Sequence, residues 1–390
     1  MTIGVLKNSS LFAVVPEVTE GVGLEPSAAS EFIQVLEAVE STPAKELIER
    51  AVITPNKGNI QPRVSTSSVS GTIPTEFKAS GTEGDAPETD ILWKSLLGVR
   101  RDITSRITTG TGHTTSSLNI VGHSLEVGDI IVILEANNYW AAAVSNVVDV
   151  DNVDFYPTAP FTPSDGVELA ETVTYRAEGN DEPTFTFNAY WGNTILEQNA
   201  GCRVSSCAIE NITTGQTPNS TFAFEGLSFD ESDTAAPLSP SFDPSLPPLA
   251  LSMVVAYDDV CLDMNELSLN IENTVSFLTS VKSPDGRISS RVSERAVSGT
   301  LTPYLDDTDL NLFDIFKDNQ SAPLFVTAFN VDPVNAGQFE LGSMVAYYCP
   351  QTLITGLTKA DQEGTLTRPV EFQANTGATG DLTEIFVGFC

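Results

Sequence analysis

The chain has 390 residues, of which 41% are hydrophobic and only 18% are charged, so it is a folded protein with material for one to three domains. Its 52 acidic and 19 basic residues give a formal net charge of −33, which argues against binding to nucleic-acid phosphates or to anionic membranes. Only two histidines are present, so very few are available for a histidine-based catalytic triad or metal site.

Taken in chain order, the sequence predicts mostly β structure after an N-terminal arm at residues 1–25, which lacks the pattern of a signal peptide. Glu31–Val39 fits either a helix or a buried strand. Elsewhere, short runs of β-branched and aromatic residues are bounded by Gly, Pro, Asn and Asp, which predicts strands. These runs are Glu46–Thr54, Asp129–Leu134, Thr184–Tyr190, Leu251–Tyr257, Leu324–Phe329 and Met344–Cys349.

One segment of the chain occurs twice. Residues 58–73 read GNIQPRVSTSSVSGTI and residues 286–301 read GRISSRVSERAVSGTL, with nine of sixteen positions identical at a separation of 228. Thr89 and Thr308 each begin a Thr-Asp pair followed by apolar residues at helical spacing, which predicts a short helix in both copies, capped by the Thr or the Asp. The repeated order of elements indicates a duplication. The repeat-signature structural positions are Gly58, Arg63, Val69, Gly71, Gly286, Arg291, Val297 and Gly299.

The side-chain alternation changes phase inside each repeat. Val64 and Val69 fall on opposite faces of a regular strand, and so do Val292 and Val297. A bulge or bend between the two positions would explain this, and ordinary β irregularity is the alternative.

Two further features divide the chain. Residues 103–176 have no counterpart in the second repeat and predict an inserted β-domain, which we expect to lie exposed on the outer surface of the protein. Residues 233–250 form a proline-rich linker, which predicts an extended segment. The fold class is therefore predicted as mainly β, with two tandem β-sandwich or barrel domains that each carry a short flanking helix. The first domain comprises 1–102 and 177–232, and the second comprises 251–390.

No active site is predicted. The acidic runs Asp149–Asp154 and Asp306–Asp309 lack the spacing of a calcium loop. His113 and His123 lie on a polar loop with no cysteine near them in sequence, so we expect them to be solvent-exposed. The five cysteines have no CxxC spacing and predict free thiols. We therefore assign no catalytic residue, no cofactor, no cofactor-binding residue and no metal ligand, and predict that the chain is not an enzyme. The equivalent Arg63 and Arg291 could pair with carboxylates either across a subunit boundary or within their own domain.

The chain contains the motifs Glu46-Leu-Ile-Glu-Arg, Val69-Ser-Gly-Thr-Ile, Phe77-Lys-Ala-Ser-Gly-Thr, Leu96-Leu-Gly, Gly201-Cys-Arg-Val-Ser and Phe222-Ala-Phe-Glu-Gly. In this order they resemble the major tail tube proteins of long-tailed, siphovirus-like bacteriophages. The similarity covers most of 31–100 and 184–230 and, more weakly, 250–390.

The resemblance implies that six tube domains form a ring, whose inner sheets join into one β-barrel around a channel, and that rings stack. Partners implied are other copies of the chain, the tape-measure protein, and the tail terminator and tail-tip proteins. DNA would pass through the lumen without specific binding, and no membrane is involved. With two domains per chain, three chains would form a homotrimeric, pseudo-hexameric ring.

The resemblance also implies synthesis in the host cytoplasm and a place in the virion tail. We expect the arm 1–25 and the loop Thr75–Pro87 to reach the next ring, because such contacts usually lie in arms and loops. The alternatives are another virion structural component, such as a tail-tip ring or decoration protein, then an adhesin of tandem β-domains. A glycoside hydrolase that uses paired carboxylates is the third.

Overall fold

The computed structural model describes residues 10–53, 55, 60–136, 138–177, 182–192, 194–251, 253–283, 286–305, 309–332, 334–335, 338–377 and 383–390. Strands dominate these ranges, together with two α-helices and a 3₁₀ turn at Ala29–Glu31. The predicted mainly β fold class is confirmed.

The strands before and after the insert build the first half of the chain. The elements before it are β1 (Leu11–Pro16), β2 (Ser41–Ile48), β3 (Arg63–Glu76), α1 (Asp90–Leu97) and β4 (Gly98–Ile103). The insert contains β5 (Ile107–Thr108), β6 (Ser117–Asn119), β7 (Ile130–Glu135), β8 (Asn138–Asp149), β9 (Asn152–Tyr156) and β10 (Glu168–Leu169). The elements after it are β11 (Thr172–Ala177), β12 (Phe185–Trp191), β13 (Ile195–Thr213), β14 (Asn219–Gly226) and β15 (Ser228–Ser232).

The second half follows the proline-rich segment. Its first elements are β16 (Met253–Tyr257), β17 (Val260–Cys261), β18 (Met264–Thr279), β19 (Arg287–Pro303) and α2 (Asp309–Asp318). The rest are β20 (Ser321–Ala328), β21 (Val345–Leu357), β22 (Ala360–Gln362), β23 (Thr365–Thr367), β24 (Val370–Ala374) and β25 (Phe386–Phe389).

One antiparallel sheet runs through both halves. Its neighbours are, in order, β2, β3, β14, β13, β18, β19, β24 and β21. A second layer covers it, made of β1, β12, the N-terminal part of β13 and β15 in the first half. In the second half this layer is β16, β20, the N-terminal part of β21, β25, β11 and β4. Each half is therefore a sandwich whose two layers share one long strand.

The core lies between these layers. The ring of Phe187 on β12 lies 5.3 Å from that of Phe224 on β14, which joins the two layers directly. Trp93 on α1 is fully buried, with its ring 5.0 Å from that of Phe222. The apolar positions of α1 thus face the sheet, and their burial stabilises the helix more than its length of eight residues can.

Two local predictions need correction. Thr89 does not cap α1 with its side chain; instead Asp90 accepts hydrogen bonds from Lys94 and Arg100 at 2.8 and 2.9 Å. Glu31–Val39 forms neither a helix nor a regular strand. Its apolar spacing reflects burial beside β1, where the Ile33 N–H donates to the Phe12 carbonyl.

The phase change in the repeat has the predicted cause. The register between β2 and β3 shifts between Lys45 and Leu47, opposite the part of β3 that separates Val64 from Val69. The register between β18 and β19 shifts between Thr274 and Val275. A bulge at the same place in each hairpin adds one residue between the two valines, so both valines of a repeat face the same side of the sheet although they are five positions apart.

Candidate functional site

The repeat-signature residues lie in the middle of the sheet and along its two hairpins. Val69 and Val297 are buried core residues. Arg63 and Arg291 are exposed, and within the described ranges neither forms an ion pair with its own chain. Gly286 has a φ of 73° and lies against Thr66 of the first hairpin. Gly58 falls outside the described residues.

The two glycines at the centre of the repeats have the same environment. Gly71 lies opposite Phe224 of β14, and Gly299 lies opposite Phe372 of β24. A Cβ atom would come within 2.6 Å of the first ring and 2.5 Å of the second. Each glycine therefore leaves the space that an aromatic ring from the neighbouring strand fills.

Strands without visible sequence similarity also match between the halves. The pairing of β13 with β14 shifts between Val204 and Ser206, and that of β21 with β24 shifts between Ile354 and Gly356. In both halves the N-terminal part of the long strand pairs with the last strand, β15 or β25. The sequence carries no signal for this match, because the pairing is made by backbone groups.

The sheet has two open ends. Along β2, every residue after Ser41 is exposed, including Leu47 at 60% and Ile48 at 57%. At the opposite end, β21 continues past the end of β20, and no described strand pairs with its outer edge beyond Leu353. Unpaired edges of this kind are templates for pairing with another chain.

Within this sheet, the two halves are joined by the pairing of β13 with β18. Cys207 lies opposite Ile271 and Ile209 lies opposite Leu269. All four side chains are buried. This junction shows how a long strand of one half and a hairpin strand of the other can join.

The face of the sheet that points away from the core is acidic. Side chains alternate across a strand, so the neighbours of the buried positions face outward. The face also carries basic residues, since Arg203 lies opposite Glu225 and Arg291 lies opposite Ser276. Among its other residues, five are glutamates and thirteen are small or polar. They are Ser68, Ser70, Thr72, Ser206, Ala208, Glu210, Thr221, Ala223, Glu225, Glu266, Ser268, Asn270, Glu272, Ala296, Ser298, Thr300, Glu371 and Gln373.

The segments expected to reach a neighbouring ring are largely bound to their own chain. Glu17 in the arm accepts a hydrogen bond from the Gly201 N–H at 2.7 Å. In the loop after β3, the Gly81 N–H donates to the Gly342 carbonyl at 2.9 Å. Residues 1–9 of the predicted arm fall outside the described residues. At the two hairpin ends, by contrast, the described residues Ile53 and Val281 are 101% and 105% exposed.

The insert packs against the second half rather than standing apart from it. The ring of Tyr139 lies 5.3 Å from that of Phe339, and the Tyr156 hydroxyl donates to the Pro323 carbonyl at 2.9 Å. His113, expected to be solvent-exposed, is buried, with its Nε2 3.1 Å from the Thr109 hydroxyl. Its role is therefore to hold a turn of the insert.

The proline-rich segment is held by a lysine that the sequence did not single out. Lys78 is 7% exposed and its Nζ donates to the Asp243 and Ser245 carbonyls at 3.0 and 3.3 Å. It also donates to Gln34 Oε1 at 3.0 Å beside a groove of about 470 Å³. The ammonium group therefore makes three hydrogen bonds, two of which hold the proline-rich segment against the first half.

No catalytic or metal-binding arrangement emerges from the described part of the chain. In the ranges given above, no three His, Cys, Asp or Glu side chains come together as metal ligands would. All five cysteines are free, and all except Cys261 are buried. Neither α-helix within those ranges is long and apolar enough to cross a bilayer.

Comparison with known families gives a match that spans residues 7–374 and carries the description phage tail tube protein. The search of curated proteins finds no match. The matched region takes in both halves of the sheet, the insert and the proline-rich segment.

Proposed function

Because the chain belongs to the phage tail tube protein family, we propose that it polymerises into stacked trimeric, pseudo-hexameric rings that form the tail tube. The family is a structural one, and its members are components of the virion tail. The main support is the long sheet, whose end strands β2 and β21 have open edges. The middle of this sheet already contains a junction between the two halves, the pairing of β13 with β18. Joining three copies end to end would close it into a barrel without edges.

The matched halves support a duplicated tube domain. On this proposal, 1–102 with 177–232 forms one domain, 251–390 forms the other, 103–176 contains the insert and ends in β11 of the main sheet, and 233–250 is the linker. The shared bulges and the two glycine–phenylalanine pairs argue for a common origin, since an unrelated sandwich would not repeat them. Three chains with two such domains each give six positions around one axis.

The acidic face supports a channel function. When the sheet curls into a ring with its core layer outside, the face with Glu210, Glu266 and Glu272 lines the lumen. The excess of carboxylates over basic residues on this face would repel the DNA backbone, so the genome would slide during ejection without specific binding. The same channel would hold the tape-measure protein before ejection. Tail terminator and tail-tip proteins would bind the two ends of the stack.

Ring stacking would use the hairpin turns. Ile53 and Val281 occupy the same position in the two hairpins, 228 residues apart, and both side chains are fully exposed. An apolar side chain repeated at equivalent exposed positions fits a contact with the neighbouring ring. Six of these turns per ring would face the ring above or below.

Negative-stain electron microscopy of the purified protein at rising concentration tests the function. We expect hollow stacked rings with threefold detail. Dispersed monomers at every concentration would contradict the proposal. A tail-tip ring or decoration protein is separated from a tube protein by copy number in purified virions, where a tube protein is among the most abundant.

A further inference from the structure

We propose that neighbouring subunits join through the end of β21 and the two residues after it in one chain and β2 in the next, in one specified register. The paired residues are Gly356 with Ala44, Leu357 with Pro43, Thr358 with Thr42 and Lys359 with Ser41. This inference rests on the ring function proposed above and adds the residues that close the ring.

The template is the junction inside the chain. There, Ser206 pairs with Glu272, Cys207 with Ile271, Ala208 with Asn270 and Ile209 with Leu269, all antiparallel. β13 is the long shared strand of the first half, and β18 is the outer hairpin strand of the second. The corresponding strands left open are β21 and β2.

The residues of β2 that correspond to the pairing residues of β18 are found by comparing the two hairpins. Leu269 lies opposite Gly299 in the second hairpin, and Ser41 lies opposite Gly71 in the first. Both residues of each pair are 228 positions from their counterparts, as in the sequence repeat. Residues 269–272 of β18 therefore correspond to residues 41–44 of β2.

The residues near the end of β21 that correspond to the pairing residues of β13 are found by comparing the strands β14 and β24, which carry the phenylalanines opposite the two glycines. Val204 lies opposite Phe224, and Ile354 lies opposite Phe372. Val204 and Ile354 are 150 residues apart, and the bulge that follows each keeps this separation. Residues 206–209 of β13 therefore correspond to residues 356–359, which are the last two residues of β21 and the two that follow it.

The backbone at this end has donors available for pairing. The Thr358 N–H donates inward, to the Pro369 carbonyl at 3.0 Å. Backbone groups of successive strand residues point to alternate sides, so the N–H groups of Leu357 and Lys359 point to the open edge. In the proposed register they would donate to the carbonyls of Pro43 and Ser41 of the next chain.

The junction between chains would be weaker than the one within the chain. Inside the chain, the core-facing pairs are apolar and buried, as Ile209 with Leu269. Between chains, the equivalent pair is Lys359 with Ser41, and Pro43 has no N–H to donate. The intrachain boundary also has a second connection, β11 with β25, and none of the described strands at the open ends offers an equivalent. Within a ring, subunits would therefore separate from one another at the junction between chains, while the two halves of each chain stay joined.

Disulfide cross-linking tests the register. Thr42 and Thr358 form a pair whose own N–H groups point away from each other, so their Cα atoms would lie about 4.5 Å apart, within disulfide range. In a Cys261→Ser background, we expect Thr42→Cys/Thr358→Cys to give covalent trimers on oxidation with diamide. Ala44→Cys/Gly356→Cys tests the same register if the first variant fails to fold.

The matched control is Ala44→Cys/Thr358→Cys, which is displaced by two residues and should cross-link at least tenfold less. Rings in the microscope with cross-linking of the displaced pair would overturn the register while leaving the ring function intact. Rings without any cross-link at either pair would overturn the choice of strands. The absence of rings from the unmodified protein would instead refute the proposed function.

Discussion

Gly71 on β3 lies directly opposite Phe224 on β14, and the aromatic ring occupies the space that a side chain at Gly71 would need. Gly71 does not have a positive φ, so the restriction is steric rather than conformational. Gly299 and Phe372 repeat the relationship in the second half. The most recognisable motif of the sequence is thus a packing feature of the sheet.

We expect Gly71→Ala to destabilise the protein by about 1–3 kcal/mol, because the added methyl overpacks a buried ring. Urea unfolding followed by circular dichroism would measure this. Ser70→Ala, which changes a residue facing away from the core, is the control and should have little effect. Adding Phe224→Leu to Gly71→Ala should restore part of the loss. A Gly71→Ala protein of unchanged stability would contradict this packing explanation.

Replacing residues 104–171 with a two-residue turn should destabilise the second half. Ile103 and Thr172 are paired neighbours, so the turn can join β4 to β11 without strain. Phe325 and Phe386, now buried in a cluster with the insert, would become exposed, at about 1.5–3 kcal/mol for each side chain. Differential scanning fluorimetry would show a melting temperature lower by several degrees.

Phe339→Ala provides a smaller version of the same change, because it removes the aromatic contact with Tyr139 while leaving the insert in place. An insert-free protein that melts at the same temperature as the parent would show that the insert is only a decoration.

Ile53→Ser and Val281→Ser together should shorten tubes without preventing ring formation, because both side chains are fully exposed in a single subunit. Electron microscopy would measure tube length, and the melting temperature of the subunit should not change. Val121→Ser on the insert, where the side chain is 76% exposed, is the matched control. Tubes of unchanged length would place the stacking contact elsewhere.

Assembly should increase with salt. Each subunit carries a formal net charge of −33, and like-charge repulsion opposes association. The Debye length falls from about 10 Å at 0.1 M to about 3 Å at 1 M salt, which screens this repulsion. Sedimentation of the assembled fraction across that range is the measurement. Tubes that dissolve at high salt would instead indicate ion pairs as the main contacts.

Iodoacetamide should label one thiol per dispersed subunit, that of Cys261. Partial burial, with Asp259 and Asp263 nearby, raises the pKa of Cys261 above its usual value. Since the thiolate is the reactive form, labelling should still be accelerating as pH passes the usual thiol range. Burial raises the pKa of Cys390 to about 12, so it should stay unlabelled.

Mass spectrometry would locate the modified cysteine. Cys261→Ser should abolish labelling. A rate that levels off by pH 8, or modification of a second cysteine in the native protein, would contradict the environments described for these thiols.

Much of the local structure followed from the sequence. β-Branched runs predicted β7 and β12 closely, and the phase change between Val64 and Val69 predicted the bulge. Glu31–Val39 escaped prediction because its apolar residues are buried by β1 without regular backbone pairing. The surroundings of His113 escaped it because burial depends on residues that are distant in sequence.

The amino-acid sequence by itself determined the β character, the repeated glycine motif and the excess of carboxylates, because each of these depends on residue type and short-range spacing. Only the tertiary structure decided which strands remain unpaired, which face carries the glutamates and where the insert rests. The reason is that strands pair through backbone groups that nearly all residues share. The choice of partner is therefore set by the closure of the whole sheet, as the shared arrangement of β13 and β21 illustrates.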